Sequence, residues 1–569
     1  MNRSYQCFAL ATAALFSVSC LASVSANPVP LNSPVIKDVK GNIVEDHTPS
    51  PVIPHWFMMR NLGSNSERRG DWFNLSAQYS PVQGVGADYV YESMLPPLKP
   101  QPIIVAVLDS GVDIQHEDLK HKLWVNTAEI PDNGIDDDGN GYIDDVHGWN
   151  FLGNSLGINV AYDTLEVTRE YKQYLKLLEA DEWIPQKKRD YYQAVEKEYL
   201  AELENSQIQL NRVIEATTLA NQYKANITAL IKHKDFTIEG LQILLSHRNP
   251  EVVFAAQELL TLFKDWYSFD YLKSRRSRYQ DALDYYYNLD FDPRTSIVMD
   301  DSSNPWEKGY GNNDVKGPDA SHGTHVAGII AAERRNGRGI DGLANDVKIM
   351  SLRVVANGDE RDKDIANAVR YAVDNGAKII NMSFGKSYSP HKFVVDHAFR
   401  YAASKGVLIV HSAGNSSSDN DIKPSFPNRY ASTYESLPIK TWIDVGASAK
   451  YSNEELVASF SNYGQQSVDI FAPGHRILSS TPGNSYATYS GTSMAAPVVS
   501  GVAALLWSHY PDLSARELKK ILLSTARVYP ELLVKNPSAP ERLVPFSSLS
   551  SSGGIVDAEA AFAALAELK

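Results

Sequence analysis

The chain is nearly free of cysteine. Among 569 residues only Cys7 and Cys20 occur. Both sit in the first twenty positions, so no disulfide can staple the body of the protein. Stability has to come from a buried core, with bound metal as the other available staple. Positive charge is also short: 54 Lys and Arg stand against 68 Asp and Glu, a net charge of −14. That balance argues against nucleic acid and anionic membrane as partners, which need a basic face. Long hydrophobic runs are missing too. The apolar stretch Phe8 to Val18 is too short to span a bilayer, and no later stretch is apolar enough. With Arg3 before it and Val24-Ser25-Ala26 after it, the stretch reads as an export signal cleaved after Ala26, placing the protein in the periplasm or outside the cell. A buried N-terminal helix is the plainer alternative. A lipid anchor on Cys20 is another, against which Ser17 stands where a lipobox usually carries Leu.

The organisation that remains is that of an α/β protein with one interruption. Residues 1–26 are the signal and 27–100 a Pro-rich N-terminal arm or pro-segment. Residues 101–154 and 301–569 form the main domain. There Ile103 to Leu108, Val347 to Val355, Lys378 to Met382 and Val407 to His411 are apolar runs that read as buried parallel strands. Asp364 to Asn375 and Pro390 to Ser404 read as helices between them. The implied architecture is a parallel sheet covered by helices on both faces. Between 155 and 300 the texture changes to Glu, Lys, Gln, Tyr and Leu, with Val195, Tyr199, Leu203, Leu210 and Ile214 at helical spacing. This predicts an α-helical insertion.

Three Gly-rich blocks carry chemistry: Val107-Leu108-Asp109-Ser110-Gly111, His322-Gly323-Thr324-His325 and Gly491-Thr492-Ser493-Met494. Taken singly, they read as a strand-to-turn junction, a pair of metal ligands and a helix cap. Together, in the order Asp, His, Ser, they supply an orienting acid, a base and a nucleophile. In these blocks the chain resembles the subtilisin-like serine proteases (subtilases). The resemblance implies a subtilisin-like fold and a serine endopeptidase acting on protein or peptide substrates. It assigns Ser493 as nucleophile, His322 as base and acid, and Asp109 as orienter, with His325 structural. Ser412-Ala413-Gly414-Asn415 resembles the family's oxyanion block, making Asn415 a donor to the oxyanion beside the Ser493 N–H at a helix start. Ser383, Phe384 and Gly385 resemble the strand that holds an extended substrate, and Ser412, Ala413 and Gly414 its opposite wall. Residues 27–100 stand where many subtilases carry an inhibitory folding domain, without that domain's alternation of strands and helices.

A second signal lies between the first two blocks. Asp136-Asp137-Asp138-Gly139-Asn140-Gly141-Tyr142-Ile143-Asp144 places oxygens at 136, 138, 140 and 144, with the Tyr142 carbonyl between, like the opening of a calcium loop. The expected metal set is therefore Asp136, Asp138, Asn140, Tyr142 and Asp144, holding structural calcium. An acidic turn without metal is the alternative. More than 200 positions separate Asp109 from His322. The insertion in that gap would gate large substrates, contact a partner, or merely stabilise.

Overall fold

Apolar runs become the middle of one sheet. The computed structural model describes residues 70–96, 99–430 and 437–567. The expected export signal, both cysteines and the arm up to residue 69 lie outside the described residues. Seven strands form the sheet's body: β1 (Ile103–Asp109), β2 (Gly148–Asn150), β3 (Val347–Arg353), β4 (Ile379–Met382), β5 (Leu408–Ser412), β6 (Trp442–Ser448) and β7 (Ile470–Pro473). In space they run β7-β6-β5-β4-β1-β3-β2, and every pair among them is parallel. The pair Gly554–Ile555 and Arg527–Val528 completes nine strands at the β7 edge and is antiparallel within itself.

The strands are apolar on both faces, as a doubly covered parallel sheet requires. Val105 and Val107 of β1 join one core, with Ile349, Leu408 and Val445. Their neighbours Ala106 and Leu108 join the other, with Met350, Ile380 and Ile409. Helices Ser321–Ala331 and Thr492–His509 cover the first face. Helices Asp362–Asp374 and Lys392–Ser404, the crossovers from β3 to β4 and from β4 to β5, cover the second.

The Pro-rich stretch is not a free arm where it is described. From residue 70 onward Trp72, Phe73, Leu75, Val82 and Val85 are buried in the same core as β1. The Arg527 guanidinium donates to the Gly84 carbonyl at 2.7 Å, tying this stretch to the sheet edge.

Between β2 and β3 lie helices Glu166–Glu179, Gln186–Leu230, Ile238–Leu244, Pro250–Trp266 and Phe269–Asp281. They enclose small cores of their own, one around Val213, Leu241, Leu259 and Phe263, another around Val167, Tyr171, Tyr192 and Val195. Buried ions fasten them to the sheet. Arg294 pairs with Asp300 and Asp364, and Lys386, just past β4, pairs with Glu166 and Asp362. No helix of the described residues is long and apolar enough to cross a membrane.

Candidate active site

The carboxyl ends of parallel strands are where such sheets form clefts, and three site residues sit there. Asp109 ends β1, Ser383 follows β4, and Asn415 follows β5. Asp109 is buried, and one of its carboxylate oxygens takes the His322 Nδ1 and the Ser110 N–H, both at 2.7 Å. His322 opens the helix Ser321–Ala331. The next residue has to be glycine, because a Cβ on Gly323 would lie 2.2 Å from the Gly111 carbonyl oxygen. Burial lowers the His322 pKa, but the Asp109 charge and hydrogen bond outweigh it, with Asp319 adding, and hold it above the ordinary 6.5.

His325 has a different environment. Burial pushes its pKa down to about 3. Its Nε2 meets the carbonyls of Ile477 and Ala487, each at 3.1 Å, and its ring stacks on Tyr489. It thus pins the hairpin β8 (Ile477–Thr481) and β9 (Ser485–Tyr489).

Ser493 is the second residue of a helix buried nearly all round. Pro497 lacks the N–H that would bond the Ser493 carbonyl one turn back. The Ser383 hydroxyl donates to that carbonyl at 2.9 Å, and Asn381 Nδ2 donates to the Ser383 hydroxyl at 3.0 Å. The Ser493 hydroxyl donates to the Ser383 main-chain carbonyl at 2.9 Å. The Asn415 carbonyl oxygen is held by Thr492, through its N–H at 2.8 Å and its hydroxyl at 2.9 Å. That leaves the Asn415 amide NH₂ to face outward. It converges with the Ser493 N–H: a Cβ on Gly491 would lie 3.5 Å from each. Two donors therefore flank one position beside Ser493.

The six expected substrate-binding residues are also together. Ser383 touches Ser493. The Phe384 carbonyl accepts from His411 Nε2 at 3.0 Å and from the Ser412 hydroxyl at 3.4 Å. Gly385 is exposed. The Ala413 carbonyl is taken by Asn420 and Asn462, and the Gly414 N–H donates to the Thr492 hydroxyl. His411, Thr492 and Asn462 hold these walls, and only their three-dimensional neighbours reveal them.

The acidic loop departs from the expected metal set. Asp138 is brought together with Glu129 and Asp145, one carboxylate oxygen of each lying within 4.8 Å of the others. Asp136 and Asp144 are not in that group. Asp136 accepts the N–H groups of Asn140 and Gly141, and Asp144 those of Asn133 and Gly134, so their oxygens close the turn. Asn140 stays beside the cluster, its Nδ2 at 3.0 Å from both Asp138 and Asp145. The Tyr142 ring packs on Trp149 and Tyr371. Burial raises the Asp145 carboxyl, with hydrogen bonds from Tyr371, Asn126 and Asn140 opposing. Three crowded carboxylates in this state suit a hard, oxygen-seeking cation. Glu129 precedes the run 136–144, and Asp145 is the second of two adjacent carboxylates, so the spacing of a calcium loop does not single them out.

A family model described as Peptidase_S8, the subtilase family, matches residues 101–545. A thermophilic serine proteinase of Bacillus sp. (strain AK1) is 44% identical, over 35% of this chain and 47% of its own length. Alkaline elastase YaB of Bacillus sp. (strain YaB) is 39% identical, over 36% and 50%. Subtilisin DY of Bacillus licheniformis is 37% identical, over 36% and 70%. The chain spans about half the length of the first two of these relatives.

Proposed function

The chain belongs to the subtilase family, and from that premise we propose that it is an exported serine endopeptidase that cleaves proteins or peptides through Asp109, His322 and Ser493. Asp109 fixes the proton on His322 Nδ1, which leaves Nε2 as the acceptor. Nε2 takes the Ser493 proton as the oxygen attacks the peptide carbonyl. The carbonyl oxygen, now negative, receives the Ser493 N–H and the Asn415 amide. His322 returns the proton to the leaving amine, and water repeats the sequence on the acyl-enzyme. The observation that carries this reading is the pair of donors at 3.5 Å from one position beside Gly491. The test is labelling by a fluorophosphonate probe, expected for the wild type and absent in Ser493→Ala. An unlabelled wild type overturns the reading.

The pH dependence has a sign. Only neutral His322 can accept the serine proton, so kcat/KM falls as pH drops through a pKa held above 6.5. Asp319 contributes to that elevation from a distance. Asp319→Asn is expected to move the acidic limb to lower pH while leaving the plateau in place. A pH–rate profile on a short peptide checks this.

The acidic cluster supports structural calcium, with Glu129, Asp138 and Asp145 as the carboxylate ligands and Asn140 alongside. Bound there, calcium would offset two of the three carboxylate charges and clamp the loop between Asn126 and Asp145. With calcium at a hundred times its Kd the expected stabilisation is about 3 kcal/mol. Chelation should lower Tm in the wild type and leave the Tm of Asp138→Asn unmoved.

We further read residues 101–154 and 301–569 as the catalytic domain and 155–300 as its insertion. Export rests on the residues around Phe8 to Val18 and Ala26.

A further inference from the structure

A cavity of about 820 Å³ lies between the insertion and the catalytic body. Lys172, Lys176, Lys188 and Tyr191 line it from the insertion, and Tyr388 and Phe426 from the body. Most charges around it are closed off internally. Glu166 and Asp362 are paired with Lys386, Arg361 with Asp163, and Lys363 with Asp300 and Glu307. Glu170 accepts the Tyr191 hydroxyl; burial raises its carboxyl, with that bond and the nearby Lys188 and Arg169 opposing. Asp292 accepts the Thr295 hydroxyl and N–H; these bonds, with Arg361 and Lys172 nearby, outweigh burial and lower its carboxyl. Lys172, Lys176 and Lys188 form no ion pair among the described residues. Lys172 and Lys176 are one turn apart on the same helix, an arrangement that costs energy until an anion arrives.

Tyr388, at the wall of the cavity, lies five positions along the chain from Ser383. Ser383 holds the Ser493 hydroxyl. From there Phe384, Gly385 and Lys386 alternate between buried and exposed, as an extended edge does, and the chain bends at exposed Ser387. On its inner side Lys386 exchanges two main-chain hydrogen bonds with Phe426, at 2.8 and 3.0 Å. The main-chain groups of exposed Gly385 and Ser387 have no partner among the described residues, and they face where an added strand would lie. Tyr388 follows at the cavity wall, and its hydroxyl donates to Glu198 of the insertion at 2.7 Å. Five residues of extended chain cover roughly 16 Å. A peptide paired along this edge would be led toward the cavity, whose wall begins at Tyr388, about five residues from the bond being cut.

We propose that this cavity is a substrate subsite for an acidic side chain about five residues from the scissile bond, and that the insertion exists in part to build it. This rests on the protease reading above, and the two fail differently. Peptides of one cleavable sequence carry a single Glu or Gln, moved position by position to either side of the bond. For the wild type, Glu four to six residues away on one side is expected to raise kcat/KM about tenfold over Gln through KM, the size of a few partly exposed charge contacts. High salt should erase the difference. The variant K172Q/K176Q/K188Q should cleave the Gln peptides like wild type and lose the preference for Glu. The charge reversal K172E/K176E/K188E should prefer Lys at the same position. If wild type shows no Glu preference at any position, or the triple Gln variant keeps it, the subsite is overturned. If no peptide is cut at all, it is the protease reading that fails.

Discussion

Ser493→Ala is expected to lower kcat about a millionfold, with KM close to wild type, in single-substrate assays on a peptide amide. The magnitude comes from subtilisin itself, where removing the nucleophile or the base alone costs nearly as much as removing the whole triad. The geometry here explains why the same should hold. In the proposed mechanism the Asp109–His322 hydrogen bond at 2.7 Å prepares Nε2 for the serine proton. Without Ser493 Oγ that preparation has nothing to act on. His322→Ala should therefore cost about as much as Ser493→Ala, and the double variant no more than either. Asn415→Ala belongs to a different class. It leaves nucleophile and base intact and removes one of two oxyanion donors, for a loss of about a hundred- to thousandfold in kcat. Losses that multiplied across Ser493 and His322 would show that the two act independently, contrary to the mechanism.

Asp109, His322 and Ser493, the proposed triad, stand out in the sequence because each lies in a short local motif, and local motifs need no knowledge of the fold. The central strands were legible for a related reason. Full burial on both faces forces continuous apolar runs, and β1, β3, β4 and β5 fall within two residues of their expected bounds. Val195, Tyr199, Leu203, Leu210 and Ile214, read at helical spacing, all fall in the single helix Gln186–Leu230. β6 was not legible. Its run Trp-Ile-Asp-Val-Gly-Ala-Ser carries a buried aspartate, Asp444, which is satisfied only by Arg429 and His411 from other parts of the chain. The same blindness applies to the grouping of Glu129, Asp138 and Asp145 and to the pair of Lys386 with Glu166, which are 220 positions apart. A sequence displays what a residue is but not which distant charge will cancel it. That also changes what can be done with the insertion. Deleting residues 160–295, which its sequence texture invites, would leave Lys386 and Asp364 buried without their Glu166 and Arg294 partners.

Arg294→Met should accordingly destabilise the protein by about 3–5 kcal/mol, the cost of breaking a buried ion pair from one side. The Arg294 side chain has no exposed surface, and its guanidinium donates to both oxygens of Asp300 and both of Asp364. Once it is gone, Asp300 keeps Lys363 and Asp364 keeps the Tyr310 hydroxyl, too little for two buried carboxylates. A surface pair such as Arg338 with Glu117, whose side chains are 61% and 27% exposed, should cost less than about 1 kcal/mol when broken. Urea unfolding at pH 7 measures both. The deficit has a pH signature. In the wild type, burial raises the Asp300 carboxyl but Arg294 outweighs it and lowers the pKa, so its contribution is present above 3.8 and lost as pH falls. Asp364 is raised by burial with Arg294 opposing, so removing the arginine raises it further and lets it neutralise sooner. Both effects act in one direction: the gap between wild type and Arg294→Met should be widest near neutrality and narrow as the solution is acidified. Adding Asp300→Asn and Asp364→Asn to Arg294→Met should recover part of the loss at pH 7, because the penalty lies in the stranded charges rather than in the missing side chain. If the double Asn change recovers nothing, the cost lies instead in packing around Tyr310 and Phe151.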